Sequence, residues 1–379
     1  MAGLKAFQPV HETPALAQLR LSVRKRIDEL AQQGAFEPTV DPWITGWDRS
    51  FSELIAREGW VGMTIPTEYG GHGRTFLDRY VVTEELLAAG APVAAHWFAD
   101  RQIAPALLKH GTAEQKADIL PRIARGELMF AIGMSEPDTG SDLASVRTRA
   151  TPQSGGGWQI SGTKIWTSGA HHADKILMLA RSGAVSEDRH AGLSQFIVDL
   201  DSPGITVRPI PAADGRHHFN EVFFDAVSVG DDAVLGTVGN GWAQVMGELA
   251  FERSGPERFL TALPILQSSV DAIRSGQPSR DDVSRHFARM ATLRRMSYSV
   301  ANDIERAVPV DVAAGIVKIL GTTLEGDVVQ AALVHADTDS TPMPDALRRA
   351  LTSRASFTLR GGTNEVLQGV IAKSVGARG

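Results

Sequence analysis

"KHGTAEQKADILPRIARGELMFAIGMSEPDTGSD", residues 109–142, joins two different kinds of sequence pattern. Its first three residues, Lys-His-Gly, are typical of a helix C-terminus with Gly111 in the left-handed conformation. Thr112 and Gln115 then match the pattern of a capping box, which predicts the start of another helix. From about residue 129 the pattern becomes strand-like. The stretch therefore predicts a change from a helical region to a β region.

The patterns on either side extend this division to the whole chain. Apolar residues recur at three- and four-residue spacings before the boundary and again after Asn240, which predicts helices. Short strand-like runs separated by turns rich in Gly, Pro, Asp and Ser lie between, which predicts a compact β barrel or sandwich. This order favours separate domains over a βαβ fold. The predicted domains are an N-terminal helical domain (1–128), a middle β domain (129–238) and a C-terminal helical domain (239–379).

Individual elements can be predicted from the same patterns. The predicted strands include 176–180, 196–200, 205–210 and 222–224. The predicted helices of the C-terminal region include one opened by residues 242–249, one at 312–334 and a short one at 364–371.

Composition excludes several classes of protein. The chain has 379 residues, a formal net charge of -6, 43% hydrophobic and 22% charged residues, which is typical of a globular protein and unlike a basic nucleic-acid binder. Because it contains no cysteine, disulfides, iron–sulfur clusters and cysteine nucleophiles are excluded. No apolar run approaches the length of a membrane span, and the N-terminal residues do not resemble a secretory signal. A cytoplasmic location is therefore the default expectation.

Two motifs look functional but have simpler interpretations. Residues 157–164, GWQISGTK, nearly match a phosphate-binding P-loop, but the order Thr-Lys is reversed and strand residues follow. We predict a β-hairpin around Ser161 and Gly162 instead. The pairs 171–172 and 217–218 are adjacent histidines whose rings diverge on most backbones, so we predict surface or core histidines rather than a metal site.

Three other segments offer groups that suit a ligand. The Ser/Asp/Gly-rich loop at 134–142 provides N–H groups and hydroxyls that could bind an anion or the edge of a ring, although a plain surface turn fits equally well. At 166–168, a tryptophan beside two hydroxyls could line a flat cofactor or belong to the core. At 359–368, LRGGTNEVLQ, a flexible turn precedes a helix start that suits a phosphate or carbonyl oxygen. That turn contains no acid, base or nucleophile.

Four segments together resemble the acyl-CoA dehydrogenase family, in the family's order. They are GWVGMTIPTEYGGHG (59–73), residues 109–142, KIWTSGA (164–170) and RGGTNEVLQ (360–368). The resemblance implies an N-terminal helical domain, a middle β domain and a C-terminal four-helix bundle. It also implies FAD as cofactor and the α,β-dehydrogenation of an acyl-CoA thioester to the 2-enoyl-CoA.

The resemblance further implies which residues contact the cofactor and substrate. Those expected at the flavin ring and pyrophosphate are Met134, Ser135, Gly140 and Ser141. Those expected along the flavin face and edge are Trp166, Thr167 and Ser168. Those expected to contact FAD from the start of the last helix are Gly362, Thr363, Asn364 and Glu365. Those expected at the acyl-CoA are Ser182 and Arg253.

The catalytic base is missing from its usual place. Many family members carry it immediately before the Gly-Thr of the last motif, where this chain has Gly361; the backbone N–H of Gly361 can still reach the thioester oxygen. Other members place a glutamate on the first helix of the bundle, and Glu252, followed by Arg253, matches that position. Apolar neighbours in sequence and the Gly-Pro at 255–256 would raise the pKa of Glu252 by desolvation. A surface ion pair is the alternative role for Glu252, and Glu248 is the reserve candidate.

The resemblance also predicts a different partner subunit. In family homodimers the neighbouring subunit completes each FAD site through Arg-x-x-Phe-Gly and Gln-x-Leu-Gly-Gly segments. Here Ala272 and Ser275 replace the Arg and Phe, and Gln330 is followed by Ala-Ala-Leu at 331–333. Because close approach to a pyrophosphate favours Gly, we hypothesise an α2β2 heteromer with a related subunit.

The resemblance leaves substrate and partners partly open. It is compatible with a bulky or sterol-derived acyl-CoA and with electron-transfer flavoprotein or another electron acceptor. The alternatives are a non-catalytic partner subunit and a related flavoprotein oxidase. The acidic balance disfavours a nucleic-acid partner.

Overall fold

The structure is a computed structural model, and its backbone divides into two compact units. It describes residues 7–184, 187–213, 215–274, 280–336, 343–374 and 376, without the side chains of 248–252, 271–274 and 280. The helical unit comprises Met1–Gly46, Thr75–Val93 and Ala250–Gly379. The sheet unit comprises Trp47–Arg74 and Ala94–Leu249.

Helices precede and follow the strands, as predicted. In chain order the α-helices are α1 (Pro14–Gln32), α2 (Arg49–Arg57), α3 (Phe76–Ala88), α4 (Ala94–Phe98), α5 (Ala104–His110), α6 (Ala113–Ala124), α7 (Gly241–Glu252), α8 (Leu263–Arg274), α9 (Arg280–Glu305), α10 (Asp311–His335), α11 (Asp345–Phe357) and α12 (Asn364–Ser374). A π-helical segment, Ala99–Ile103, joins α4 to α5. No helix within the described residues is long and apolar enough to cross a membrane.

Local capping explains where several of these helices begin. The predicted capping box of α6 is present, with the Thr112 hydroxyl accepting from the Gln115 N–H and the Gln115 side chain accepting from the Thr112 N–H. Thr75 and Asp78 form the same arrangement at α3. These caps satisfy N–H groups that have no partner inside the helix.

The helical unit is organised around α10. This helix packs against α8, α9, α11 and α12, while α3 packs against α1 and α9. Buried side chains of Val300, Val310, Ala314 and Val317 form the apolar contact between α9 and α10. The predicted C-terminal group of packed helices is therefore confirmed.

The sheet unit contains the predicted β domain. Its strands are β1 (Phe130–Gly133), β2 (Arg149–Pro152), β3 (Trp158–Lys164), β4 (Lys175–Arg181), β5 (Leu193–Asp199), β6 (Ile205–Pro211), β7 (His217–Val229) and β8 (Val234–Leu235). They pair in the order β6-β7-β3-β2-β4-β5-β8, and β1 runs parallel to β4. Among the described strands this path is open at β6 and β8, so the predicted middle β domain, expected as a compact barrel or sandwich, is an open sheet.

Two predictions about glycines were wrong. Gly111 ends α5 with φ -67° and ψ 152°, which is extended rather than left-handed. A Cβ at Gly111 would lie 2.8 Å from the Leu107 carbonyl oxygen, so space rather than backbone conformation favours glycine there.

The second wrong prediction concerns Ser161 and Gly162, which lie inside β3 rather than in a hairpin turn. The turn that joins β2 to β3 lies at 153–157, and the pairing of β3 with β7 shifts register between Ile160 and Gly162. Gly162 has φ +149°, and a Cβ there would lie 2.7 Å from the Thr148 Cα. Glycine therefore permits a β-bulge and a close backbone approach.

Candidate active site

The loop at 134–142 begins directly after β1 and is fixed at its start. The Met134 carbonyl accepts from the Lys164 Nζ at 3.1 Å, and the Ser135 carbonyl accepts from the Ile165 N–H at 2.9 Å. Farther along, Gly140 and Ser141 are exposed. A Cβ at Gly140 would meet no atom within 4 Å. The loop is thus anchored at its start and exposes polar groups farther along.

A buried ion pair fixes the start of this loop. The Glu136 carboxylate accepts from the Lys164 Nζ at 2.8 Å and from the N–H groups of Arg147 and Thr148 at 2.6 and 2.9 Å. Burial alone would raise the pKa of Glu136, but the ion pair and hydrogen bonds outweigh burial and lower it. Burial lowers the pKa of Lys164 to about 8, although Glu136 opposes that change.

The tryptophan segment at 166–168 has an unusual backbone. Trp166 has φ +56°, a conformation that costs energy for a residue with a side chain, and the residue is 56% exposed. Its indole packs edge-on against the ring of Phe219, with the centroids 5.8 Å apart. Thr167 and Asn220 exchange backbone hydrogen bonds at 3.0 and 3.1 Å, and the Asn220 Nδ2 also donates to the Thr167 carbonyl. The buried Thr167 Oγ1 has no hydrogen-bond partner among the described residues.

These features fit a flat, polar-edged cofactor. An exposed indole that is held in place offers a surface for a planar ring. A hydroxyl without a protein partner, beside the half-buried Ser168, supplies hydrogen-bonding capacity that the protein itself does not use. The residues present therefore suit an isoalloxazine ring, and the contacts of Trp166, Thr167 and Ser168 with its face and edge stay predictions.

A histidine cluster lies next to this segment. We predicted that the rings of adjacent histidines diverge, but in this cluster they lie close together. The ring of His171 stacks on that of His217 at 3.7 Å and lies 3.9 Å from that of His172. Burial, followed by the neighbouring histidines, lowers the pKa of His171 to about 4. The described residues contain no group of three or more side chains with the geometry of a metal site. His171 is therefore uncharged near neutral pH.

The turn at 360–363, which we call the Gly-Gly turn, offers donors in the helical unit. Gly361 and Gly362 have φ +68° and +88°, values that glycine adopts readily. Thr363 caps α12, since its hydroxyl and carbonyl accept from the N–H groups of Val366 and Leu367. Within the described chain, the N–H groups of Gly361, Gly362 and Thr363 donate to no protein acceptor. The turn thus presents free donors at a helix N-terminus.

Buried charged side chains hold the Gly-Gly turn. The Arg253 Nε donates to the Gly361 carbonyl at 3.0 Å, and the Lys318 Nζ donates to the Gly362 carbonyl at 2.8 Å. The Arg360 guanidinium pairs with both carboxylate oxygens of Asp41, at 2.8 and 3.0 Å. Arg253 therefore contacts the turn itself, and its contact with an acyl-CoA stays a prediction.

The remaining predicted site residues are placed as follows. The Ser182 hydroxyl lies 2.6 Å from that of Ser194 at the end of β4. Glu365 is exposed on α12, and a hydrogen bond from its own backbone N–H lowers its pKa most. The side chains of Glu252 and Glu248, both on α7, lie outside the description, as do the Ala272 side chain and all of Ser275. Gln330 and residues 331–333 continue α10.

Sequence reasoning missed several residues that shape these segments: Glu136, Lys164, Asn220, Asp41 and Lys318. Lys318 alone left a usable signal, because it is a charged residue in the otherwise largely apolar run 312–320. The other four act through partners that are distant in sequence.

The helix–sheet–helix order agrees with the fold that the sequence resemblance implied, that of a flavin-dependent dehydrogenase. Family models for the N-terminal and middle domains of acyl-CoA dehydrogenases match residues 15–127 and 131–227. The chain belongs to the acyl-CoA dehydrogenase family, whose members are FAD-dependent oxidoreductases, and FAD is its cofactor.

Relatives with curated names and solved structures agree with this assignment. Acyl-CoA dehydrogenase IpdE1 of Mycobacterium tuberculosis is 35% identical over 337 residues, covering 86% of this chain and 87% of that protein. The structure "Tcur3481-Tcur3483 steroid ACAD" has a TM-score of 0.85 and 29% identity, covering 97% of this chain and 99% of that one. The ChsE4-ChsE5 complex from Mycobacterium tuberculosis has a TM-score of 0.83 and 26% identity, covering 98% and 100%.

Proposed function

We propose that the chain catalyses the α,β-dehydrogenation of a bulky, ring-containing acyl-CoA as one subunit of a cytoplasmic heteromer. The observation that carries this proposal is the Gly-Gly turn, which offers free N–H donors but no carboxylate at Gly361. The turn can stabilise an oxyanion, whereas proton abstraction requires a carboxylate from elsewhere. Glu252 is the candidate for that second role.

The chemistry divides between these two groups. The α-carbon of a thioester is a weak acid, so its ionisation requires a positioned base and donors aimed at the developing enolate oxygen. Glu252 takes the α-proton, while the Gly361 N–H donates to the thioester oxygen. Bound FAD supplies the two-electron acceptor for the β-hydrogen, which leaves as hydride. The product is the 2-enoyl-CoA, with the α-proton on the carboxylate.

The substrate class and the partner rest on the relatives and on the sequence of α8 and α10. One similar structure is named as a steroid ACAD, and another is titled as a complex of two different chains. This chain also carries Ala331 and Ala332 where a close approach to pyrophosphate favours glycine. A related subunit supplies the missing segments in our proposal, and electron-transfer flavoprotein or a similar carrier reoxidises the flavin.

Flavin reduction tests this function. The chain is expressed alone and with a homologous partner, and bleaching of the flavin band is followed with straight-chain, branched and steroid-ring acyl-CoAs. We expect high FAD occupancy and rapid bleaching only for the co-expressed complex with bulky substrates. Full occupancy of the chain alone would contradict the heteromer, and bleaching by straight-chain acyl-CoAs only would contradict the substrate class.

A matched pair of variants tests the base. We expect Glu252→Gln to slow flavin reduction by about 10²- to 10⁴-fold, as loss of a general base does, and Glu248→Gln to leave the rate near that of the wild type. The opposite pattern would move the base to Glu248. An active complex with both glutamines would instead favour a non-catalytic subunit. Anaerobic turnover with an artificial acceptor separates a dehydrogenase from an oxidase.

A further inference from the structure

Lys318 is a fully buried lysine that connects three points around the Gly-Gly turn. The residue is 0% exposed, in the first half of α10. Its Nζ donates to the Thr358 carbonyl at 2.7 Å, the Gly362 carbonyl at 2.8 Å and the Asn364 Oδ1 at 2.8 Å. These three oxygens belong to the end of α11, the turn itself and the first residue of α12. One side chain thus spans the whole connection between the two helices.

The contacts of Lys318 match the donors of an ammonium group in number. An ammonium group has three N–H donors, and Lys318 directs them at three oxygen atoms. Burying a cation is costly unless it is fully hydrogen-bonded. The residues just before and after it, from 312 to 320, are otherwise mostly apolar. Its hydrogen bonds to Thr358, Gly362 and Asn364 join the charge to the turn and to the helix ends beside it.

The geometry also determines where the turn's donors point. In a trans peptide the C=O and the following N–H point in opposite directions. Because the Gly362 carbonyl faces Lys318, the Thr363 N–H points away from the lysine. In the same way, the contact between the Gly361 carbonyl and Arg253 turns the Gly362 N–H away from the arginine. Charged donors on these carbonyls also polarise the peptide groups, which strengthens the opposite N–H as a donor.

We infer that Lys318 is a positioning residue that fixes the Gly362–Thr363 peptide and thereby holds the Gly-Gly turn, including the Gly361 N–H, in place in the active site. Its catalytic consequence rests on the proposed function, in which that turn receives the thioester oxygen. The positioning itself is a property of the fold and is measurable without turnover. The two parts are therefore tested separately.

Hydrogen exchange tests the positioning. Amide exchange in the peptide covering residues 358–367 is compared in the FAD-loaded complex for wild type, Lys318→Met and Val317→Ala. Val317→Ala is the matched control, because Val317 is buried on the same helix but packs in the α9–α10 core. We expect Lys318→Met to accelerate exchange in this peptide about tenfold or more, and the control to leave it unchanged. Unchanged exchange in Lys318→Met, or equal acceleration in the control, would overturn the inference.

Enolate formation tests the catalytic consequence. A 3-oxoacyl-CoA of the preferred acyl class ionises at its α-carbon when bound, and the enolate is followed by its absorption as pH is varied. We expect Lys318→Met to raise the apparent pKa of the bound ligand by about one pH unit and to lower kcat more than it raises KM. We expect Lys318→Arg to recover part of both changes.

The two tests fail in different ways. An unchanged ligand pKa in Lys318→Met, despite faster exchange, would limit the lysine to a structural role and overturn its catalytic part. A wild-type complex that neither ionises the ligand nor reduces its flavin with any acyl-CoA would refute the proposed function. The exchange result would still decide whether Lys318 holds the turn.

Discussion

Removing the charge of Glu136 tests whether the buried ion pair fixes the loop at 134–142. In Glu136→Gln the side chain keeps its shape, but one carboxylate oxygen becomes an NH₂ group. Both oxygens accept from protein donors, at 2.8 Å from the Lys164 Nζ and at 2.6 Å from the Arg147 N–H. The NH₂ group must therefore face another donor, and the buried Lys164 loses its counter-charge.

The expected loss of unfolding free energy follows from these two changes. Breaking a buried ion pair by altering one partner typically costs about 3–5 kcal/mol, and an unpaired buried N–H adds to that cost. The matched control is Glu127→Gln, because Glu127 pairs with Arg125 at the surface, where both side chains are at least half exposed. We expect the control to lose no more than about 0.5 kcal/mol.

Urea denaturation at pH 7, followed by tryptophan fluorescence, measures both variants. Adding Lys164→Met to Glu136→Gln removes the uncompensated cation, so we expect the double variant to recover part of the loss. FAD occupancy should also fall in Glu136→Gln, because Lys164 also holds the Met134 carbonyl. A loss below about 1 kcal/mol in Glu136→Gln, or simple additivity of the two substitutions, would refute the reasoning.

Three further predictions concern other groups. Burial raises the pKa of Glu325 from 4.5 to about 8, so the free energy of unfolding falls as pH rises from 4.5 to 8. Glu325→Gln should flatten that fall and stabilise the protein by at most about 3 kcal/mol at pH 7. A Tm–pH profile equal to that of the wild type would contradict this prediction. Burial lowers the pKa of His171 from 6.5 to about 4, so stability is lost as pH falls below 6.5. His171→Asn should reduce the drop in Tm between pH 7 and pH 5. An equal drop in the variant and the wild type would contradict this prediction. Gly362→Ala places a Cβ at φ +88° and should lower both Tm and the rate of flavin reduction. The control Gly34→Ala, at φ +71° with no atom within 4 Å of the added Cβ, should lower Tm alone. Equal losses of rate in the two variants would contradict a role for the turn.

Elements defined by local sequence could be predicted well. The helix predicted at 312–334 is Asp311–His335, and the strand predicted at 176–180 is Lys175–Arg181. Capping and side-chain periodicity depend on residues a few positions apart, which the sequence shows directly. The bulge at Gly162 was mistaken for a turn because it depends on pairing with β7, more than 50 residues later.

The candidate site also has a part that local sequence predicts and a part that it does not. Gly361, Trp166 and their neighbours were recognisable because they lie in contiguous motifs. The contacts that hold those motifs were not recognisable, since Lys318 meets Asn364 and Asp41 meets Arg360 only through tertiary packing; the sequence showed Lys318 as a charge in an apolar run but not what it contacts. A motif thus identifies a candidate ligand-binding backbone, while the residues that fix that backbone are determined by the fold.

The Gly-Gly turn also explains why a carboxylate restored at residue 361 should be a poor base. Gly361 has φ +68°, which costs a residue with a side chain about 1–2 kcal/mol. The Arg253 Nε already lies 3.0 Å from the Gly361 carbonyl, so a glutamate there would have a guanidinium beside it and a lowered pKa. We therefore expect Gly361→Glu to restore little of the flavin reduction that Glu252→Gln loses, measured with the same acyl-CoA and at matched FAD occupancy. Recovery to near the wild-type rate would show that the turn tolerates a base and that Arg253 does not suppress it.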